Sequence, residues 1–169
     1  MDQTGVILIG MMGSGKSTVG NALAQLMGIP FQDTDQLLEF RLGRPIPNLF
    51  QLYGEEAFRH HETAILRGLA PEPRVLATGG GIVVRPENWI EFKRLGTTVF
   101  LDVPTELLAE RLDRSNRKRP LLQTENWIDK LAHLYESRRP LYEQADLVIK
   151  ITDGPIEEVA QVIQMRLTQ

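Results

Sequence analysis

The sequence predicts an α/β fold with three layers: a five-stranded parallel sheet with helices on both faces. Three observations predict it. Short apolar runs typical of buried strands recur along the chain, at Val6–Ile9, Phe31–Thr34, Arg74–Thr78, Thr97–Leu101 and Leu147–Ile151. Segments with apolar residues at helical spacing separate these runs, and strands that alternate with helices form doubly wound parallel sheets. The length of 169 residues fits one domain of this kind.

The first strand leads through a glycine-rich loop into a helix. After Val6–Ile9, the apolar residues Val19, Leu23 and Met27 repeat at helical spacing, and Gly28 follows them directly. A glycine just past the last apolar position is a common helix end, and a proline follows two residues later. We therefore expect a strand, a loop and a helix in that order.

The remaining elements are predicted with unequal support. The strand Phe31–Thr34 rests only on its place before a helical stretch, whereas the three later strands have stronger patterns. Helices with one apolar face fill the intervals, and their apolar positions include Phe58, Ile65, Leu69, Ile156, Val159, Ala160 and Ile163. Because ligands bind at the carboxyl ends of strands in such sheets, we expect the site in the loops that follow the strands.

Composition excludes several classes of function. The chain has no cysteine, which rules out a thiol nucleophile, a cysteine-ligated zinc and disulfides, and which suits a reducing compartment. A net charge of -3 argues against nucleic-acid binding, which needs a basic face. The longest apolar run near the start is much shorter than the roughly 20 residues of a membrane span, and we expect no signal or transit peptide. We predict a single domain over residues 1–169 that acts in the cytoplasm as a monomer on small molecules, without nucleic-acid or membrane partners.

The loop after the first strand carries the strongest motif. Residues 10–17 match the P-loop pattern of glycine, four residues, glycine, lysine and serine, and they lie between a predicted strand and a predicted helix. Such a loop turns backbone N–H groups toward phosphate oxygens, and the helix adds its positive end. The alternative is a glycine-rich turn that merely starts a helix. The predicted nucleotide-binding residues are Gly13, Ser14, Gly15, Lys16, Ser17 and Thr18, with Ser17 also a ligand of Mg²⁺.

Two carboxylates follow the second strand. Asp33 and Asp35 are two residues apart, so their side chains point the same way if the strand geometry persists. One carboxylate could then hold Mg²⁺ while the other accepts the proton of an attacking hydroxyl. Alternatively, Asp33 ends a strand and Asp35 caps the next helix, since aspartate is favoured at that position.

In their order and spacing, these motifs and four further ones resemble shikimate kinase. The further motifs are Gly54, Glu55, Phe58, Arg59 and Glu62; Gly79 to Gly81; Arg119 to Leu121; and Arg138 with Pro140 to Tyr142. The resemblance covers nearly the whole chain. It implies a P-loop kinase with a mobile lid that uses Mg²⁺ and ATP to phosphorylate the 3-hydroxyl of shikimate, in the pathway to chorismate and the aromatic amino acids.

The resemblance also implies roles for single residues. Lys16 resembles the phosphate-binding lysine, Asp33 the carboxylate near the metal, and Asp35 the residue that holds the substrate hydroxyls. Arg59 and Arg138 resemble the pair that grips the shikimate carboxylate. Arginine suits that task because its rigid planar fork matches a carboxylate. The backbone wall of the substrate pocket is assigned to Gly80 and Gly81, and the substrate-binding segment is predicted at about residues 33–62.

A basic segment resembles the lid of the family, at about residues 112–124. Residues 111–120 contain five basic side chains and one acidic side chain. A lid arginine stabilises charge on the transferred phosphoryl group, and lid closure excludes water. Arg119 matches the lid pattern, and with Lys16 and Asp35 it completes the predicted catalytic residues. The other basic residues, Arg111 among them, are predicted to be a solvated loop that attracts nucleotide.

Other features are predicted to be structural. His60 and His61 are adjacent on a helix, so they diverge and suit surface or partly packed positions better than a shared metal. Trp89 and Trp127 are predicted to be packing residues. Two alternatives for function stay open: another small-metabolite P-loop kinase such as a gluconate kinase, or a catalytically silent nucleotide-binding module, since a fold does not guarantee activity.

Overall fold

The computed structural model describes residues 4–115 and 124–169. Within these ranges all five predicted strands are present, at β1 Gly5–Ile9, β2 Phe31–Asp33, β3 Val75–Ala77, β4 Gly96–Asp102 and β5 Leu147–Lys150. The helices are α1 Lys16–Met27, α2 Thr34–Leu42, α3 Ile46–Gly68, α4 Pro86–Leu95, α5 Thr105–Arg114, α6 Trp127–Tyr142 and α7 Ile156–Leu167, with a 3₁₀ turn at Ile82–Val84. None of the helices in the described ranges is both long and apolar enough to cross a membrane.

The strands form one parallel sheet in the order β2-β3-β1-β4-β5. The central strand β1 pairs with β3 on one side, where Leu8 lies opposite Ala77, and with β4 on the other, where Leu8 lies opposite Val99. The predicted fold class, a five-stranded parallel sheet with helices, is confirmed. The order also puts the carboxyl ends of β2, β3 and β1 side by side.

Helices cover both faces of the sheet. Successive side chains of a strand point to opposite faces, and Val6–Ile9 of β1 are all at most 2% exposed. The main core therefore has two sides, and α1 packs against α7 while α4 packs against β1 and β4. Gly28 ends α1 in a left-handed conformation (φ 66°, ψ 32°), as its position in the sequence predicted.

A second, smaller core lies beside the sheet. It consists of Leu38 from α2 with Leu49, Phe58 and Ile65 from α3, and its aromatic part includes the Phe50 and Phe58 rings stacked 4.3 Å apart. α3 is bent at the exposed residue Gly54, whose backbone is not helical (φ 76°, ψ 171°). The second half of α3, after this bend, brings Arg59 and Glu62 to the glycines that follow β3.

Candidate active site

The loop between β1 and α1 has the shape of a phosphate cradle. Gly15 precedes the helix with φ 89°, a left-handed conformation that glycine adopts without strain. The first intrahelical hydrogen bond joins the Val19 N–H to the Gly15 carbonyl at 2.8 Å. The N–H groups of Lys16, Ser17 and Thr18 therefore precede the helical ladder at the positive end of α1, where an anion is best accommodated.

The Lys16 side chain is buried within this loop. Its ammonium donates to the Gly10 carbonyl at 2.8 Å, to the Met11 carbonyl at 2.9 Å and to Ser14 Oγ at 3.3 Å. These contacts hold a positive charge at the mouth of the loop. The predicted phosphate-binding lysine therefore contacts other residues of the P-loop motif, namely Gly10, Met11 and Ser14.

A second cation touches the loop. Arg111, near the end of α5, donates from Nη1 to the carbonyls of Gly13 at 3.4 Å and Ser14 at 3.3 Å. The prediction of a solvated loop residue was therefore wrong for Arg111. The missed signal was its position just before Leu112, which is buried and whose side chain lies over Gly13.

Ser17 and Asp33 meet across the start of the site. Ser17 Oγ donates to Asp33 Oδ2 at 2.6 Å, while Asp33 Oδ1 accepts from the Asp35 N–H at 2.8 Å and the Gln36 N–H at 3.4 Å. Asp33 therefore caps α2 and at the same time faces the P-loop. Strand geometry does not persist through Asp35, because α2 begins at Thr34, and the alternative that Asp35 caps this helix was wrong, since the cap is Asp33.

Asp35 nevertheless reaches the same edge of the sheet from the first turn of α2. A Cβ atom built on Gly79 would lie 2.9 Å from Asp35 Oδ1 and 3.0 Å from Glu62 Oε2. The Gly79 N–H also donates to Thr34 Oγ1 at 3.1 Å. The two carboxylates and the glycine loop after β3 are therefore in contact.

Arg59 is held beside this loop by acidic and aromatic neighbours. Its Nη1 donates to Glu62 Oε1 at 2.7 Å and its Nη2 to Glu55 Oε1 at 3.4 Å, and the guanidinium lies 5.8 Å and 5.5 Å from the centres of the Phe50 and Phe58 rings. Arg59 and Glu62, three residues apart on α3, therefore form an ion pair. Because both side chains are at least nine-tenths buried, this pair is shielded from solvent.

Arg138 approaches the same loop from α6. Its Nη1 lies 3.7 Å from where a Cβ on Gly80 would stand, and that position is also 3.3 Å from the Met12 N–H nitrogen. Arg138 lies beside the Tyr142 hydroxyl, and this hydroxyl donates to the Gly80 carbonyl at 2.6 Å. The structure thus brings both predicted carboxylate-binding arginines to the glycine loop, which itself touches the P-loop.

Burial strongly perturbs the carboxyl group of Glu62. Burial raises the pKa of its carboxyl from 4.5 to about 7; the Arg59 guanidinium opposes the rise, as does Arg138, and the negative charge of Asp35 adds to it. Its Oε2 atom has no hydrogen-bond partner among the described residues. A buried carboxylate with an unpaired oxygen is costly to ionise.

This burial predicts a dependence of stability on pH. The folded state holds the Glu62 proton up to about pH 7 and the unfolded state only to about 4.5, so the free energy of unfolding should fall as the pH rises between them. Glu62→Gln removes this cost, and relative to wild type it should gain roughly 3 kcal/mol between pH 4.5 and 7.5. Urea unfolding of both proteins across this range measures the difference. Parallel profiles would contradict the raised pKa.

Gly81 offers a steric test of the arginine position. A Cβ on Gly81 would lie 2.2 Å from Arg59 Nη2, while the Gly81 backbone (φ -94°) suits any residue. Gly81→Ala should therefore displace the Arg59 guanidinium and raise the KM of the carboxylated substrate by about tenfold or more. Gly68→Ala is the matched control, since nothing lies within 4 Å of that site. Equal KM values in the two variants would show that Arg59 tolerates displacement.

The remaining predicted features lie away from these contacts. His60 is exposed with Nδ1 3.0 Å from Arg85 Nη1, His61 packs edge-on to Tyr53, and Trp89 donates to the Val83 carbonyl at 3.0 Å. These residues are surface or packing residues, as predicted. In the described part of the chain, no group of three or more histidine, aspartate or glutamate side chains could hold a metal ion. Arg119 and most of the predicted lid lie outside the described residues.

Comparison with known proteins adds independent findings. The family model for shikimate kinase matches residues 12–168. A shikimate kinase of Synechococcus elongatus is 47% identical over 155 residues, covering 91% of this chain and 80% of the relative. A shikimate kinase of Neisseria meningitidis serogroup C is 42% identical over 166 residues, covering 97% of this chain and 96% of the relative.

This chain is also similar to solved structures of shikimate kinases. The shikimate kinase of Acinetobacter baumannii in complex with shikimate matches with a TM-score of 0.91 and 40% identity, covering 98% of this chain and 93% of that chain. A gluconokinase of Sinorhizobium meliloti matches with a TM-score of 0.54 and 20% identity, covering 98% of this chain and 93% of that chain. At that identity the gluconokinase shows a shared fold alone.

Proposed function

The chain belongs to the shikimate kinase family, and from this premise we infer that it transfers the γ-phosphate of ATP to the 3-hydroxyl of shikimate, producing shikimate 3-phosphate. One observation of the structure supports this proposal at the level of individual side chains. A carboxylate and two arginines converge on the glycine loop after β3, and this loop touches the P-loop. A carboxylated hydroxy compound bound there would have its hydroxyl directed toward the nucleotide phosphates.

We propose that the P-loop and Lys16 bind the β- and γ-phosphates. The first-turn N–H groups of α1 and the Lys16 ammonium are fixed at one concave surface, so they do not need to reorganise as negative charge shifts during transfer. Arg111 adds a further positive charge beside the loop. Arg119, from the predicted lid, is proposed to stabilise the transferred phosphoryl group.

We propose that Ser17 and Asp33 hold Mg²⁺ together with phosphate oxygens of the nucleotide. Their oxygen atoms lie 2.6 Å apart, and hydroxyl and carboxylate oxygens are the ligands that this ion prefers. When bound, the ion would neutralise part of the negative charge on the nucleotide phosphates. Asp33 keeps its orientation because its second oxygen caps α2.

We propose that Asp35 orients the attacking hydroxyl and accepts its proton. Asp35 is half-buried at the carboxyl edge of the sheet, close to Gly79 and to the P-loop side of the site. General-base assistance by one positioned carboxylate contributes about 10²- to 10⁴-fold to a rate. Arg59 and Arg138, with the Gly80 and Gly81 backbone, hold the substrate carboxylate at a fixed distance from Asp35.

A coupled assay tests the function directly. ADP release from ATP should depend on shikimate, and should not occur with gluconate, because the relatives that are 40% or more identical are shikimate kinases, whereas the gluconokinase is only 20% identical. Release with gluconate but not with shikimate would favour the other small-metabolite kinase. No release with either compound, in protein that still binds ATP, would favour a silent nucleotide-binding module.

The oligomeric state and the cellular location of the enzyme can also be proposed. We propose that it acts as a monomer, because one chain supplies both the phosphate loop and the substrate arginines. We propose the cytoplasm as its location, since a chain without cysteine suits a reducing compartment and ATP is its co-substrate.

A further inference from the structure

A polar cluster at the end of β4 ties the sheet to α6. Asp102, the last residue of β4, is 8% exposed and accepts hydrogen bonds from the Tyr135 hydroxyl and from Arg139 Nη2 at 2.9 Å. Arg139 Nη1 also donates to the Tyr135 hydroxyl at 2.9 Å, and its guanidinium lies 5.4 Å from the centre of the Tyr135 ring. We call Asp102, Tyr135 and Arg139 the Asp102 anchor.

The Asp102 anchor contacts α6 at a turn whose backbone hydrogen bonding is interrupted. α6 contains Pro140, which has no N–H to bond the carbonyl four residues earlier and which disfavours helical geometry at the residue before it. Arg138 and Arg139 thus lie where the backbone ladder of α6 is incomplete. Side-chain contacts must then determine how this turn of the helix is oriented.

Two pairs of residues at helical spacing lie on two different faces of α6. Tyr135 and Arg139, four residues apart, face the end of β4, whereas Arg138 and Tyr142, also four apart, face the glycine loop. Because Arg138 and Arg139 are consecutive, any rotation of this turn moves both guanidinium groups together. Holding Arg139 on Asp102 therefore holds Arg138 toward Gly80.

We propose that the Asp102 anchor positions Arg138 for the carboxylate of the substrate, so that Arg139 and Tyr135 are positioning residues for substrate binding. This rests on the proposed function, in which Arg138 binds that carboxylate. Arg139 contacts both oxygens of Asp102, from Nη1 at 3.4 Å and from Nη2 at 2.9 Å, and such paired contacts fix the orientation of the guanidinium as well as its distance. Arg139 can therefore set the geometry of a group it does not touch.

Arg139→Gln tests the anchor in the full chain. It should raise the KM for shikimate by about tenfold, with kcat and the KM for ATP within about twofold of wild type. Tyr135→Phe removes the hydroxyl that donates to Asp102 and accepts from Arg139 but leaves the contact between Arg139 and Asp102 in place, so it should cause a smaller rise in the same direction. Glu143→Gln is the matched control: the Glu143 side chain accepts from Arg139 Nε at 2.8 Å on an exposed face, away from Asp102 and Tyr135, and the substitution keeps the backbone hydrogen bond to the Arg139 carbonyl, so all three constants should stay unchanged.

A double-mutant cycle separates positioning from general loss of stability. If Arg139 acts through Arg138, then Arg138→Ala with Arg139→Gln should have the same KM for shikimate as Arg138→Ala alone. Additive effects, or an equal loss in both KM values and kcat, would overturn the anchor. If Arg139→Gln does not fold, an unchanged KM in Tyr135→Phe would overturn it.

The cycle also distinguishes this inference from the proposed function. An unchanged KM in Arg138→Ala would overturn the carboxylate-binding role of Arg138, and the anchor with it. A raised KM in Arg138→Ala together with wild-type KM in Arg139→Gln would overturn the anchor alone. Melting temperatures of all variants show which differences follow from unfolding.

Discussion

Asp35→Asn should lower kcat by about 10²- to 10⁴-fold while the Kd for ATP stays within about twofold of wild type. Asparagine has nearly the same shape and still accepts a hydrogen bond, but it cannot take the proton of the substrate hydroxyl. The cap of α2 is preserved, since it uses the backbone N–H of residue 35 and the side chain of Asp33. The loss should therefore be confined to the transfer step.

Steady-state kinetics and nucleotide titration measure the two quantities separately. Gln36→Ala is a suitable control because Gln36 is exposed on the same turn and also contributes its backbone N–H to the cap. The control should retain wild-type turnover. A rate near wild type in Asp35→Asn would remove Asp35 from the mechanism.

Arg138→Ala should raise the KM for shikimate on the order of a hundredfold, because it removes a charge-assisted contact to the substrate carboxylate in a half-buried site. The KM for ATP should change little, since Arg138 faces the glycine loop and Tyr142. The effect should therefore be selective for one of the two substrates.

Initial rates over a wide range of shikimate concentrations, at saturating ATP, measure this effect. Lys130→Ala removes an exposed positive charge from the same helix and should leave the KM unchanged. Comparable shikimate affinity in Arg138→Ala and wild type would contradict the role given to Arg138. An equal rise in both KM values would instead indicate a general disturbance of α6.

Much of the fold was predictable because it depends on local patterns. The apolar runs at Val6–Ile9 and Thr97–Leu101 lie inside β1 and β4, and the glycine after Met27 ends α1 as expected. The P-loop motif is local too, since its strand, glycines and helix are consecutive. Family membership followed from several such motifs in order, and the comparisons confirm it.

Boundaries and contacts set by the rest of the molecule were harder to predict. The pattern at Asp33 and Asp35 left open whether one was a metal ligand or a helix cap, and Asp33 turns out to cap α2 while contacting Ser17. Arg111 belonged by composition to a basic loop, yet it contacts the P-loop. In both cases the deciding partner is distant in sequence or part of another element.

By itself, the sequence determined that a triphosphate-binding loop follows β1 and that acidic and basic residues of the right kinds are present. Only the tertiary structure decided that Asp35, Arg59 and Arg138 converge on the loop after β3. Local patterns encode interactions between neighbours in the chain, whereas convergence depends on strand order and on how each helix is rotated by packing. The order β2-β3-β1 and the contacts that hold α3 and α6 create the site.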